Sequence, residues 1–143
     1  MADPGDMTGR VGAVILCDDI RREISGKDIL IGVYARDIVV PQFPITLMFA
    51  LWLEYFPDRM GEGLLSLRVS WADKSPAVLK AALNVEEFGV SGLALPGIQM
   101  TFDQEGELRM ELSNGDQWIP LLRKKVLKGE VRSLVTPPSP GNS

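Results

Sequence analysis

An all-β fold, an antiparallel β-sandwich of the immunoglobulin-like kind with seven to eight strands, is what this sequence predicts, and three observations carry the prediction. Leu65, Leu67, Val69 and Trp71 alternate with Ser66, Arg68 and Ser70, the pattern of a strand with one face in a core and one in water. Turn signals recur about every ten residues along most of the chain, the spacing of short strands packed in two layers. Asn114-Gly115 then separates two further alternating runs, Glu107 to Leu112 and Gln117 to Leu127, as a hairpin turn does.

The chain of 143 residues is 45% hydrophobic and 24% charged, which suits one globular core. Residues 1–10 hold Gly, Pro, Asp and Thr without periodicity, and residues 136–143 read TPPSPGNS. Neither end can bury enough apolar surface to offset the entropy of ordering it, so a single domain over 11–135 between two loose tails is expected. Val11 to Cys17 and Ile29 to Ala35 are β-branched runs joined through Ser25-Gly26-Lys27 and read as a strand pair. Pro41-Gln42-Phe43-Pro44 reads as a link or a sheet edge, because its prolines lack backbone donors.

In the next strand Ile45, Leu47, Phe49, Leu51, Leu53 and Tyr55 form the core face. Its other face carries Met48, Ala50, Trp52 and Phe56, so a partner or another segment must cover it, Ser75 to Asn84 being the best internal candidate. That segment reads two ways: Ser75 and Pro76 could open a helix, while Ala77, Leu79, Ala81, Leu83 and Val85 alternate as a strand. The surrounding strands favour the second reading. Asp103 to Leu108 resembles the acidic turn and glycine that open the sixth strand of an immunoglobulin-like sandwich, with Leu108 where the corner tyrosine would stand.

Leu16-Cys17-Asp18-Asp19-Ile20-Arg21, Glu23, Ser25-Gly26-Lys27, Leu30 to Tyr34 and Pro41 to Pro44 together resemble the N-terminal signature of the DUF6941 family, bacterial and phage-associated proteins of unknown function. The resemblance covers about Val11 to Pro44 and returns loosely at Gly106. It implies a small β-sandwich and brings no activity, cofactor or catalytic residue.

The chain has no histidine and one cysteine, which removes imidazole-based triads and leaves a structural zinc site without ligands. No P-loop or dinucleotide-binding glycine motif occurs, and Gly61-Glu62-Gly63 reads as a turn. No enzyme, cofactor or metal is therefore expected. The longest apolar run, Leu47 to Leu53, is too short for a membrane-spanning helix, and a single cysteine suits a reducing cytoplasm. A net charge of −4 argues against general nucleic-acid affinity.

Two groups of residues stand out as candidate sites. Asp18, Asp19 and Glu23 lie among Arg21 and Arg22; mutual pairing explains them without a metal, and Asp18, Asp19, Arg21 and Arg22, with Met48 and Trp52, are the candidate surface for a partner, either another protein or a second copy. Cys17, beside these acids, reads as a small buried hydrophobe. Arg123, Lys124, Lys125 and Lys128 form a basic run, continued by Arg132. Lysines there suit a terminal edge strand that must resist aggregation, and the alternative is a site for an anionic ligand or nucleic acid.

Overall fold

The computed structural model describes residues 5–72, 74–87, 89 and 91–130, and their regular structure is all strand. Nine strands are formed: β1 (Gly9–Arg22), β2 (Asp28–Val33), β3 (Ile38–Val40), β4 (Ile45–Pro57), β5 (Gly61–Trp71), β6 (Ala77–Val85), β7 (Ser91–Phe102), β8 (Gly106–Asn114) and β9 (Gln117–Lys128). They make two sheets, ordered β2-β1-β4-β7 and β3-β9-β8-β5-β6. All neighbours are antiparallel except β3 and β9, which run parallel. The strand number exceeds the expected seven to eight because two elements hide in the sequence. β3 is too short to display a period, and the alternation of β7 is interrupted at Pro96-Gly97, where the register against β4 slips between Phe49↔Ile98 and Leu51↔Leu95.

Inner faces of the two sheets share one core. Tyr34, Phe49, Phe102 and Trp71 run through it edge to face, with centroids 5.5, 6.0 and 4.7 Å apart, and the last contact joins β7 of one sheet to β5 of the other. Such pairs contribute about 1 kcal/mol each beyond the area they bury. The predicted core face of β4 holds: Phe49, Leu51, Leu53 and Tyr55 are buried and Ile45 and Leu47 pack against them. Ser75 to Asn84 forms β6 rather than a helix, since each residue from Ala77 to Val85 finds a register partner on β5. Gly106 opens β8 against the Trp71 indole, where an added Cβ would lie 2.9 Å from the ring, and Leu108 is fully buried.

Three expectations need correction. Residues 5–10 are not a loose tail. Met7 is fully buried, its N–H donates to the Leu64 carbonyl at 2.8 Å, and Leu64 N–H donates to the Gly5 carbonyl at 3.1 Å. The chain then crosses to the other sheet, with Gly9 opposite Pro57 at the start of β1. An added Cβ at Gly9 would collide with the Phe56 carbonyl oxygen, so the crossing needs glycine. Composition misled because backbone hydrogen bonds and one methionine anchor a segment that has no apolar period. The expected tail at 136–143 lies outside the described residues.

At the β8–β9 hairpin Asn114 pairs with Gln117, so the loop is Gly115-Asp116 and not Asn114-Gly115. Gly115 has φ of +63°, while Ala72 is the one non-glycine with positive φ among the described residues. Positive φ at the first loop position alone fits a type II′ turn, not type I′. Finally, β9 is not simply the terminal edge: β3 covers its end at Val126 to Lys128, and only the stretch before that is open. Among the described residues no helix is long and apolar enough to cross a membrane.

Candidate functional site

The β1–β4 pairing stops at Cys17↔Ala50, and beyond it β1 pairs only with β2 to form a two-stranded arm. Its turn is closed by Glu23 N–H to the Lys27 carbonyl and Gly26 N–H to the Glu23 carbonyl, at 2.8 and 2.9 Å, with Gly26 at φ of +91°. The arm does not continue straight. Trp52 pairs with Ile15, and Arg22, the partner of Asp28, stands roughly 23 Å further along an extended strand at about 3.3 Å per residue. Yet Trp52 Nε1 donates to Asp28 Oδ2 at 3.1 Å, which requires the arm to fold back across the outer face of its own sheet. Asp28 is held there by Arg22 as well, at 3.4 Å.

This fold-back resolves what covers the second face of β4. Cys17 and Ala50 are buried beneath the arm, Trp52 is half-buried with its indole against Gly92, and Phe56 lies under the Arg10 guanidinium at 4.2 Å. Ser75 to Asn84 takes no part in it, being paired in the other sheet. Of the apolar side chains named on that face, only Met48 stands largely in water.

The acids near the arm do not converge. Asp18 accepts from the Tyr34 hydroxyl at 2.6 Å, Asp19 pairs with Arg21 at 3.1 Å and caps the Ile20 N–H, and Glu23 pairs with Lys27. An added Cβ at Gly32 would collide with the Asp18 carboxylate, so glycine is needed for that approach. No group of three or more metal-ligating side chains assembles among the described residues. Burial pushes the Cys17 thiol above its ordinary value, outweighing hydrogen bonds to the backbone of Asp19 and Ile31, so the thiolate is disfavoured. Burial, with the hydrogen bond to Asp18 second, likewise raises the Tyr34 phenol.

On the arm's outward side, Ile29, Ile31 and Val33 are 44%, 42% and 53% exposed along an edge strand, and Ile24 stands fully exposed at the turn. The basic run of β9 does not gather into one patch. Lys124 lies opposite the buried Leu108 on the inward side and donates to the Tyr34 carbonyl at 2.8 Å, whereas Arg123 faces outward beside Glu107. Lys125 and Lys128 engage Asp37 and Glu105 through their backbone N–H groups. Lys124 and Tyr34 line a cleft of about 330 Å³ between β1 and β9. A second cleft, about 260 Å³ and apolar, opens between the edge strands β6 and β7, lined by Leu65, Leu67, Leu79, Leu93, Leu95 and Ile98 among others. Sequence reading missed this cleft; its signal was the Pro96-Gly97 interruption, which holds β7 away from a regular edge.

Among solved structures, the chain is similar to a β-glucosidase, EmGH1, of Erythrobacter marinus, at 14% identity over 84% of this chain and 15% of that one, with a TM-score of 0.39. A likeness so slight bears on neither fold nor activity. No curated protein matches the chain. The sequence profile of a family of unknown function, DUF6941, matches residues 12–126, and with the greater part of its length so matched the chain belongs to the DUF6941 family.

Proposed function

We propose that this protein is a non-enzymatic interaction module that holds another polypeptide on the β1–β2 arm. The observation that carries the reading is the row of Ile29, Ile31 and Val33 exposed on an edge strand, with Ile24 at its tip. An edge strand offers unpaired N–H and C=O groups, and where no lysine or proline interrupts it an added strand can pair with it while its apolar side chains supply contact area. Within β2 the sequence DILIGV carries neither residue. A chain without histidine and, among the described residues, without converging carboxylates gives no support to catalysis.

The strand arrangement supports an immunoglobulin-like assignment as well. β1, β4 and β7 stand in the order of strands A, B and E, and β9, β8 and β5 in that of G, F and C, with β6 on the C-F-G side. The anionic-ligand reading of Arg123, Lys124, Lys125 and Lys128 has less support, because these residues divide between two faces and Lys124 is engaged by a carbonyl. A cytoplasmic setting belongs to the same reading, since buried free Cys17 makes no demand on an oxidising compartment.

The test replaces Ile29 and Ile31 with Lys, both outward and exposed, and compares the proteins captured from the native host by each form. Specific loss of one captured partner, with melting unchanged, is expected. The same set retained by both forms would sink the reading.

A further inference from the structure

Along one side of the sandwich both sheets end in an open edge. β2 joins β1 only from Cys17 onward and β3 joins β9 only from Val126 onward, so Val14 to Leu16 and Leu122 to Lys124 have no strand neighbour there. The connection after β2 crosses from one edge to the other: Tyr34 N–H donates to the Leu16 carbonyl at 2.8 Å, and the Tyr34 carbonyl accepts from Lys124 Nζ at 2.8 Å. Between these edges lies the cleft of about 330 Å³. Val14 and Leu16 face into the sandwich opposite the buried Leu53 and Leu51, Leu122 does so opposite the buried Met110, and Val33 adds to the apolar walls.

Lys124 does not fit those walls. It stands in the inward row of β9 between Leu122 and Val126, where a strand with one face in the core carries apolar side chains. An ammonium has three donors, and the neutral Tyr34 carbonyl takes one of them. Among the described residues no carboxylate pairs with Lys124, and no Asp or Glu lines the cleft, whose other charged lining residue is Arg123, also a cation. Asp18, on the adjoining stretch of β1, is committed to the Tyr34 hydroxyl. A cation turned inward among apolar side chains without a counter-charge carries a desolvation cost that a bound anion offsets.

We propose that the cleft between β1 and β9 binds a small organic carboxylate with an apolar body, the carboxylate on Lys124 Nζ and the body against Val14, Leu16 and Leu122. The open edges of β1 and β9 supply backbone N–H donors beside the ammonium, so both carboxylate oxygens find partners. Size sets the ligand class: at roughly 30 Å³ for each water-sized group the cleft holds about ten non-hydrogen atoms, as in a medium-chain fatty acid. The site is distinct from the outward row of Ile29 and Ile31 and does not depend on what that row holds.

Octanoate is the probe, titrated at millimolar concentration into isotope-labelled protein and followed by amide chemical shifts. Saturable shifts should centre on Val14 to Leu16, Val33 to Ala35 and Leu122 to Lys124, and octylammonium, with the same body and the opposite charge, should bind about tenfold more weakly or worse. Lys124→Met keeps an unbranched stem and removes the charge, so it should weaken octanoate about tenfold or more, while Lys125→Met, on the outward face of the same strand, should leave binding unchanged. Should Lys124→Met lower the melting temperature, the comparison of the two probes on the wild type decides alone. Equal binding of octanoate and octylammonium, octanoate held as tightly by a folded Lys124→Met chain, shifts centred on the β6–β7 cleft instead, or no saturable shift at all would overturn the proposal.

Discussion

Met7→Ala isolates the contribution of the segment that bridges the two sheets. Met7 is fully buried, and an added Cβ at Gly63 would lie 2.7 Å from its terminal methyl, so the side chain is tightly enclosed. Truncation removes the thioether and its flanking carbons, and large-to-small changes at such sites cost about 2–5 kcal/mol from lost transfer energy plus the cavity left behind. The segment is short and lies at one end of the core, so it can partly collapse into the space, which places the expected loss at about 3 kcal/mol. For a chain of this length that corresponds to a fall in Tm of about 10 °C. Urea denaturation followed by tryptophan fluorescence measures it, with Met7→Leu as the control that should cost less than about 1.5 kcal/mol. If the Ala variant unfolds at the wild-type midpoint, Gly5 to Thr8 is not seated in solution and the bridge described above does not exist.

Gly115→Val should destabilise the fold by about 1 kcal/mol or more, because a β-branched residue resists the positive φ that the II′ turn needs at its first loop position; an unmoved denaturation midpoint would place the turn elsewhere. The Tyr55 hydroxyl is buried with no hydrogen-bond partner among the described residues, so Tyr55→Phe should be neutral or stabilise by up to about 1 kcal/mol, and a clear loss would reveal a hidden partner. Burial, with the charge of Asp58 second, pushes the Tyr55 phenol up to about 12. The native state therefore holds this proton more tightly than the unfolded chain does. Its contribution is complete below pH 10.0, the ordinary value, and is lost as pH rises toward 12, so Tyr55→Phe should flatten the alkaline fall in stability, as melts in that range will show. Cys17 should react with a thiol reagent no faster than the arm opens, and prompt labelling of the native protein would contradict its burial.

Local alternation made much of the fold legible. In β5 and β4 a half-buried face imposes period two on the side chains, and the register across β5 and β6 follows from it. The pairing of Asp19 with Arg21 and the burial of Cys17 were equally readable, since both depend on neighbours in sequence. What escaped depends on distant partners. Ile38 and Val40 are buried only because β9 passes alongside, and Met7 because Leu64 offers its backbone. The fold-back of the arm is legible nowhere in the run from Asp18 to Val33; it appears only when the Trp52 indole finds Asp28. Trp52, placed by the sequence on a candidate partner surface, is thus tied up within the chain as a clasp on the arm.

The N-terminal crossing also bears on how the chain is made. Gly9 N–H donates to Asn114 Oδ1 at 3.1 Å across 105 positions of sequence, and Thr8 Oγ1 donates to the Asp58 carboxylate across 50. Translation delivers about 5–20 residues per second, so the first residues of the bridge wait roughly 5–20 s for Asn114 to be synthesised. Met7, Val11 and Val14 spend that interval without the core that finally covers them. Whatever shields nascent apolar segments on the ribosome therefore acts on the stretch from Met7 to Val14, and the two sheets are joined there only after the β8–β9 hairpin has emerged.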